Sequence, residues 1–273
     1  MAKSNVTIQP SLDAASSRLG TPGLLLILYV FAVVMHGWLL YGVWVAPYIA
    51  HDEVQYCLIG ENIRAGHGFT MRGAFASTAP PLFPLFVAFG HSLLPNARLG
   101  LYLLSVLAIC TMIFPLFLIG RDLGLTRALA AGAALAATFL PATFYAGMYM
   151  SEILQLPLFM FAFWLTLKWL RTGDLRTAAL LGIVFGIMAL NRFASLTFFL
   201  CFLATVLVVL FFPDAVRFPC DRIRILLSLA ITLAGFAIFQ GGWWMYKLAH
   251  HVPALGSYSG SSAAWPSTSA SVT

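Results

Sequence analysis

The sequence predicts an all-α fold: a polytopic transmembrane helical bundle of about seven spans, with one large non-spanning loop after the first. Three observations carry this. The 273 residues are 61% hydrophobic and only 9% charged, with a mean hydropathy of +0.91. A soluble domain carries about 25% charged residues, so these few charges cannot coat a soluble surface, and the solvent for the apolar excess is lipid. Apolar runs near the ~20 residues that a spanning helix needs recur at 23–45, 98–120, 127–149, 152–170, 176–191, 193–212 and 223–246. The basic residues sit singly in the short segments between these runs. The net charge of +6 therefore reports membrane orientation and offers no face to nucleic acid.

Residues 1–22 are polar and contain Lys3 and Arg18. The apolar run that follows is too long for a cleaved signal and reads as a signal anchor retained as the first span. The segment 46–98 is read as the first extracytoplasmic loop. Within it, Leu82–Leu94 is apolar but ends at Pro95, a length that suits an interfacial or re-entrant helix. Charge counting agrees. With seven spans and the N-terminus inside, Lys3, Arg18, Arg121, Arg127, Lys168, Arg171, Arg176, Arg217, Arg222 and Arg224 are cytoplasmic. Arg64, Arg72, Arg98, Arg192 and Lys247 are then outside, as the positive-inside rule requires. Counting 82–94 as a span would invert this. Residues 23–247 form the expected membrane core, and the Ser-rich tail 248–273 is expected to be disordered. Gly182 and Gly186 form a GxxxG, read as close helix packing. Cys57, Cys110, Cys201 and Cys220 have no metal-binding spacing and fall in different compartments, so no intrachain disulfide is expected.

Chemistry gathers on one face. Of nine acids, Asp52, Glu53 and Glu61 lie in the first outer loop and Glu152 at the next outer turn. HDEVQYCLIGENIRAGHG at 51–68 reads as a short helix opening at Asp52, with Gln55 at capping-box spacing and Gly66 or Gly68 closing it. On composition alone Asp52 is an N-cap and Glu53 a partner for the positive helix end. Their company shifts the balance. Tyr56, Arg64, Arg72 and the Pro80–Pro81 pair follow, and Arg192 comes from a later outer turn. A carboxylate can take a proton from an acceptor hydroxyl, and arginine can hold a phosphate through paired N–H donors.

These residues resemble the GT-C superfamily of glycosyltransferases, and within it the dolichyl-phosphate-mannose–protein mannosyltransferase family with its aminoarabinose transferase-like bacterial relatives. The shared order is a first span, Asp52–Glu53 with Tyr56, the turn at Gly66/Gly68, Pro80–Pro81–Leu82, Pro141, Ser151–Glu152, and a Gly-rich span (Gly182, Gly186) leading to Arg192. The resemblance implies inverting transfer of a sugar from a polyprenyl-phosphate donor to a protein, lipid or glycan acceptor outside the cytoplasm. It implies Asp52 as catalytic base, Glu53 in support or near a metal, and Glu152 as a second acid. Arg64, Arg72 and Arg192 become candidates for the donor phosphate, Tyr56 for the sugar pocket, and Pro80 and Pro81 for the substrate-binding segment. Some relatives use a divalent cation; this sequence has no ligand cluster that demands one, and the metal is unknown. Family members usually continue with further spans, so the chain is expected to be the membrane core without the C-terminal part, acting alone or with a longer membrane partner.

The remaining polar residues have plainer readings. His36 lies mid-span and is expected to hydrogen-bond to a neighbouring helix. Trp243, Trp244 and Tyr246 read as an aromatic belt and Lys247 as an interface anchor. A transporter would place ionisable groups near the midplane, where only His36 lies. A non-catalytic subunit related to such enzymes is the other alternative.

Overall fold

The computed structural model describes residues 20–44, 51–71, 73–76, 79–139, 149–212 and 222–250, with the backbone alone for 40–44 and 51. Arg72, Pro141, Cys220 and the tail from 251 onward lie outside the described residues.

Helix α1 (Thr21–Trp44) opens the bundle. After it come α2 (His51–Arg64), a hairpin of β1 (Thr70–Met71) and β2 (Ala74–Phe75), and α3 (Leu82–Leu93). The antiparallel strands pair Thr70 with Phe75 and Met71 with Ala74. Asp52 falls inside the first turn of α2, one residue past the start, so it is not the N-cap that its spacing to Gln55 suggests. Gly66, at φ +81°, turns the chain out of α2, a conformation glycine adopts without steric cost. Helix α3 has 12 residues, about 18 Å, well short of a bilayer core.

The bundle proper continues with α4 (Ala97–Cys110), α5 (Ile113–Asp122) and α6 (Arg127–Thr138). It closes with α7 (Glu152–Thr172), α8 (Leu175–Asn191), α9 (Ser195–Phe211) and α10 (Arg222–Ala249). Among the described residues, four segments are long and apolar enough to cross a membrane: Thr21–Leu39, Ala97–Asp122, Glu152–Thr172 and Arg222–Ala249. The shorter apolar helices α6, α8 and α9 lie where the other spans are expected.

Two details of the ladder have local causes. Helices α4 and α5 share one span broken at Thr111–Met112. Pro115 has no N–H for the Thr111 carbonyl, which instead accepts from Phe114 N at 3.2 Å. The seam between α8 and α10 is set by glycine. A Cβ on Gly182 would lie 2.4 Å from the Thr232 carbonyl oxygen. The close approach lets Thr232 Oγ1 donate to Ala178 O (3.0 Å) and Gln240 Nε2 donate to Gly186 O (3.2 Å). Across the bundle, the ring nitrogens of His36 face Ala32 O (2.9 Å) and Thr138 O (3.0 Å), tying α1 to α6 as a buried mid-span histidine should.

The ends of the bundle differ chemically. At one end Arg127 donates to Thr21 Oγ1, Trp164 Nε1 and Arg171 meet Asp122, and Arg224 donates to Gly173 O. At the other end stand Glu152, Asn191 and the C-terminal turn of α10.

Candidate functional site

The acids of α2 set the site. Asp52, Gln55 and Tyr56 stand at i, i+3 and i+4, hence on one helix face, and together line a cavity of about 310 Å³. Pro80 and its neighbour Ala79 close one side, and Arg192, Phe193 and Ala194 close the other. Glu53 lies off that face, only 3% exposed.

Arg192 sits where α8 breaks, in an extended conformation that lets the chain change direction before α9. Its Nη1 donates to Glu152 Oε1, the first residue of α7, in a short ion pair. Burial alone would lower the Arg192 pKa; the hydrogen bond and charge of Glu152, with the charge of Asp52, raise it instead. Arg192 is therefore a permanent cation facing the cavity. The Tyr56 phenol is pushed up, first by burial, then by the Asp52 and Glu152 charges, against a hydrogen bond to Ser151 and the charge of Arg192. It stays a neutral hydrogen-bonding group near neutral pH.

A buried amide and hydroxyl network holds the two turns together. Asn191 Nδ2 donates to Ser151 O (2.8 Å) and to Gln155 Oε1 (3.2 Å). Ser195 Oγ lies 2.9 Å from the same Gln155 oxygen and 2.8 Å from Met188 O. Just before this turn Tyr149 takes φ +48°, a left-handed conformation that bulky residues rarely adopt, with its hydroxyl donating to Arg98 O at 3.4 Å. Sequence reading missed Asn191, Gln155 and Ser195. The available signal was Gln155, three residues after Glu152 as Gln55 is after Asp52.

The structure separates the other expected residues from this cavity. Arg64 lies 12 residues beyond Asp52 on the same helix, about 18 Å along its axis. It pairs with Glu61 at 2.8 Å, and Glu61 in turn contacts His91 Nδ1 at 2.5 Å. Arg72 is outside the described residues. Pro81 lines a second, apolar cavity of about 540 Å³, with Leu85, Leu190 and Ile238. Trp243 and Tyr246 also line it. Lys247, expected as an interface anchor, is instead fully buried, with its Nζ close to the Phe193 and Trp243 rings. Among the described residues no three His, Cys, Asp or Glu side chains stand together as a metal site. Glu152 is engaged by Arg192.

Comparison with known proteins adds the family. The model for dolichyl-phosphate-mannose-protein mannosyltransferase matches residues 78–253, well over half of the chain. The protein belongs to that family. It is a multi-pass membrane glycosyltransferase of the mannosyltransferase kind. The match spans Pro80, Pro81, Glu152 and Arg192, and begins after Asp52, Glu53, Tyr56, Arg64 and Arg72. No curated individual protein matches the chain.

Proposed function

We propose that this mannosyltransferase-family protein transfers a sugar from a polyprenyl-phosphate donor to an acceptor hydroxyl on the extracytoplasmic side. The supporting observation is that Asp52 and Arg192, a proton acceptor and a permanent cation, line one polar cavity. In the proposed step the acceptor oxygen attacks the anomeric carbon and Asp52 takes its proton. The bond from that carbon to the phosphate oxygen breaks, and the electron pair leaves with polyprenyl phosphate. A single displacement of this kind inverts the anomeric centre. Arg192 faces the charge that develops on the leaving phosphate, where a preorganised donor acts most strongly. Glu152 holds the guanidinium in place, and neutral Tyr56 hydrogen-bonds at the cavity wall. Glu53, buried behind Asp52, supports the first turn of α2, and Pro80 shapes the wall opposite Arg192. Arg64 has no part in this step.

The test is sugar transfer by the purified protein in nanodiscs. It is supplied with a panel of polyprenyl-phosphate sugars and a membrane extract as acceptor source. Removing a positioned base costs roughly 10² to 10⁴ in rate, so Asp52→Asn should lose at least a hundredfold with unchanged protein yield. Equal product from parent and variant would remove Asp52 as base. No product from either, beside an active longer relative, would favour a non-catalytic subunit.

A further inference from the structure

Lys247 Nζ is buried, and among the described residues it has no hydrogen-bond partner and no carboxylate within ion-pair reach. One turn earlier on α10, Trp243 Nε1 is likewise a buried donor without an acceptor. A buried charge left unpaired is among the most costly arrangements a fold can keep. Two orphaned donors at i and i+4 share one helix face, so their common missing partner is an acceptor with more than one oxygen. The surroundings specify its kind. Lys247 Nζ lies 5.4 Å from the centroid of the Phe193 ring and 5.5 Å from that of Trp243. Phe193 lines the polar cavity beside Arg192, whereas Trp243 lines the apolar one. Chain neighbours contribute to both cavities: Pro80 and Arg192 line the polar one, Pro81 and Leu190 the apolar one. The ammonium thus lies close to one lining ring of the polar cavity and one of the apolar groove of about 540 Å³.

We infer that Lys247 and Trp243 bind the phosphate of an amphiphilic ligand whose hydrocarbon chain occupies the groove lined by Leu85, Leu190, Ile238 and Trp243. The inference rests on the proposed lipid-phosphate donor and assigns its phosphate to residues of α10 in addition to Arg192. In this reading the ligand phosphate supplies the acceptor that no described residue of the chain offers Lys247 Nζ.

The experiment measures binding to the full chain in nanodiscs by tryptophan fluorescence, using a polyprenyl monophosphate, the matching uncharged polyprenol and inorganic phosphate. The parent should bind the lipid phosphate at least tenfold more tightly than the polyprenol, with inorganic phosphate far weaker than either. Lys247→Met keeps the stem volume and removes the charge. It should abolish the tenfold preference while leaving polyprenol affinity within about twofold. Trp243→Phe keeps the ring and removes one donor, and should reduce the preference severalfold; this variant decides the matter if Lys247→Met does not fold. Preference retained in both variants would overturn the inference and leave the donor reading standing. No preference in the parent would remove the donor reading itself. Inorganic phosphate binding as tightly as the lipid would overturn the lipid-borne assignment.

Discussion

Arg192 has a partner before any substrate arrives, and that fixes what its loss should do. The Glu152 pair leaves the arginine side chain 39% exposed and the glutamate 18% exposed, so solvent screens it and its contribution to stability is small, about 1 kcal/mol or less. Its contribution to catalysis should be larger, because a donor aimed at developing charge in a cavity is worth about 10² to 10³ in rate. Arg192→Gln should therefore lower kcat/KM by that factor while unfolding at nearly the parent temperature. Arg192→Lys should recover only part of it, since an ammonium cannot reproduce the guanidinium fork. Steady-state transfer kinetics beside thermal unfolding check both; a parallel collapse of stability and activity would make the residue structural. The legibility of the sequence varies residue by residue. The separation of Arg64 from Asp52 is legible in advance, because twelve helical residues put them about 18 Å apart along the axis. The position of Lys247 is not, because a lysine at the end of an apolar helix looks like any interface anchor. Its burial sets it beside Phe193, more than 50 residues earlier in the chain.

At the scale of elements, apolar length was the reliable signal. The observed α3 ends one residue from the expected 82–94 segment, and α7, α8 and α10 begin or end close to their expected bounds. What composition could not reveal was local. Two-residue strands have no periodicity to detect, so the hairpin at 70–75 was invisible. The break between α4 and α5 hangs on one missing N–H at Pro115. The expected 127–149 span is helical only to Thr138 within the described residues. The Gly182 motif was read as close packing, and the seam shows how close. Gly182→Leu would drive its side chain into the Thr232 backbone, prise α8 from α10 and strip the bonds from Thr232 and Gln240. The expected loss is about 2 kcal/mol or more, in the range of forced overpacking. Gly132, with nothing within 4 Å of an added Cβ, should accept Leu with little change. Thermal unfolding of the two variants in the same detergent compares them; equal melting temperatures would mean that the seam yields easily.

At the scale of the whole molecule, the bundle has a cationic end and an end that carries the polar cavity. Helix α7 makes the separation concrete. Glu152 opens it and Arg171 lies in its last turn, 19 residues and about 28 Å apart, close to the thickness of a bilayer core. Arg121, Arg176, Arg222 and Arg224 lie at the same end as Arg171, whereas Asp52, Arg192 and Lys247 lie with Glu152. Cations concentrated at one end are what the positive-inside rule leaves behind. The proposed orientation therefore places the Arg171 end in the cytoplasm and the cavity outside. Single-cysteine accessibility tests this directly. In a background with the four native cysteines replaced, Arg64→Cys should react with a membrane-impermeant maleimide in intact cells. Arg171→Cys should react only after permeabilisation. Both positions are exposed side chains at about half of full accessibility, so silence at either reflects the membrane and not burial. The reverse pattern would put the cavity in the cytoplasm. There a lipid-linked donor would have to present its sugar on the inner leaflet, and the extracytoplasmic acceptor would have to be abandoned while the cavity chemistry stood.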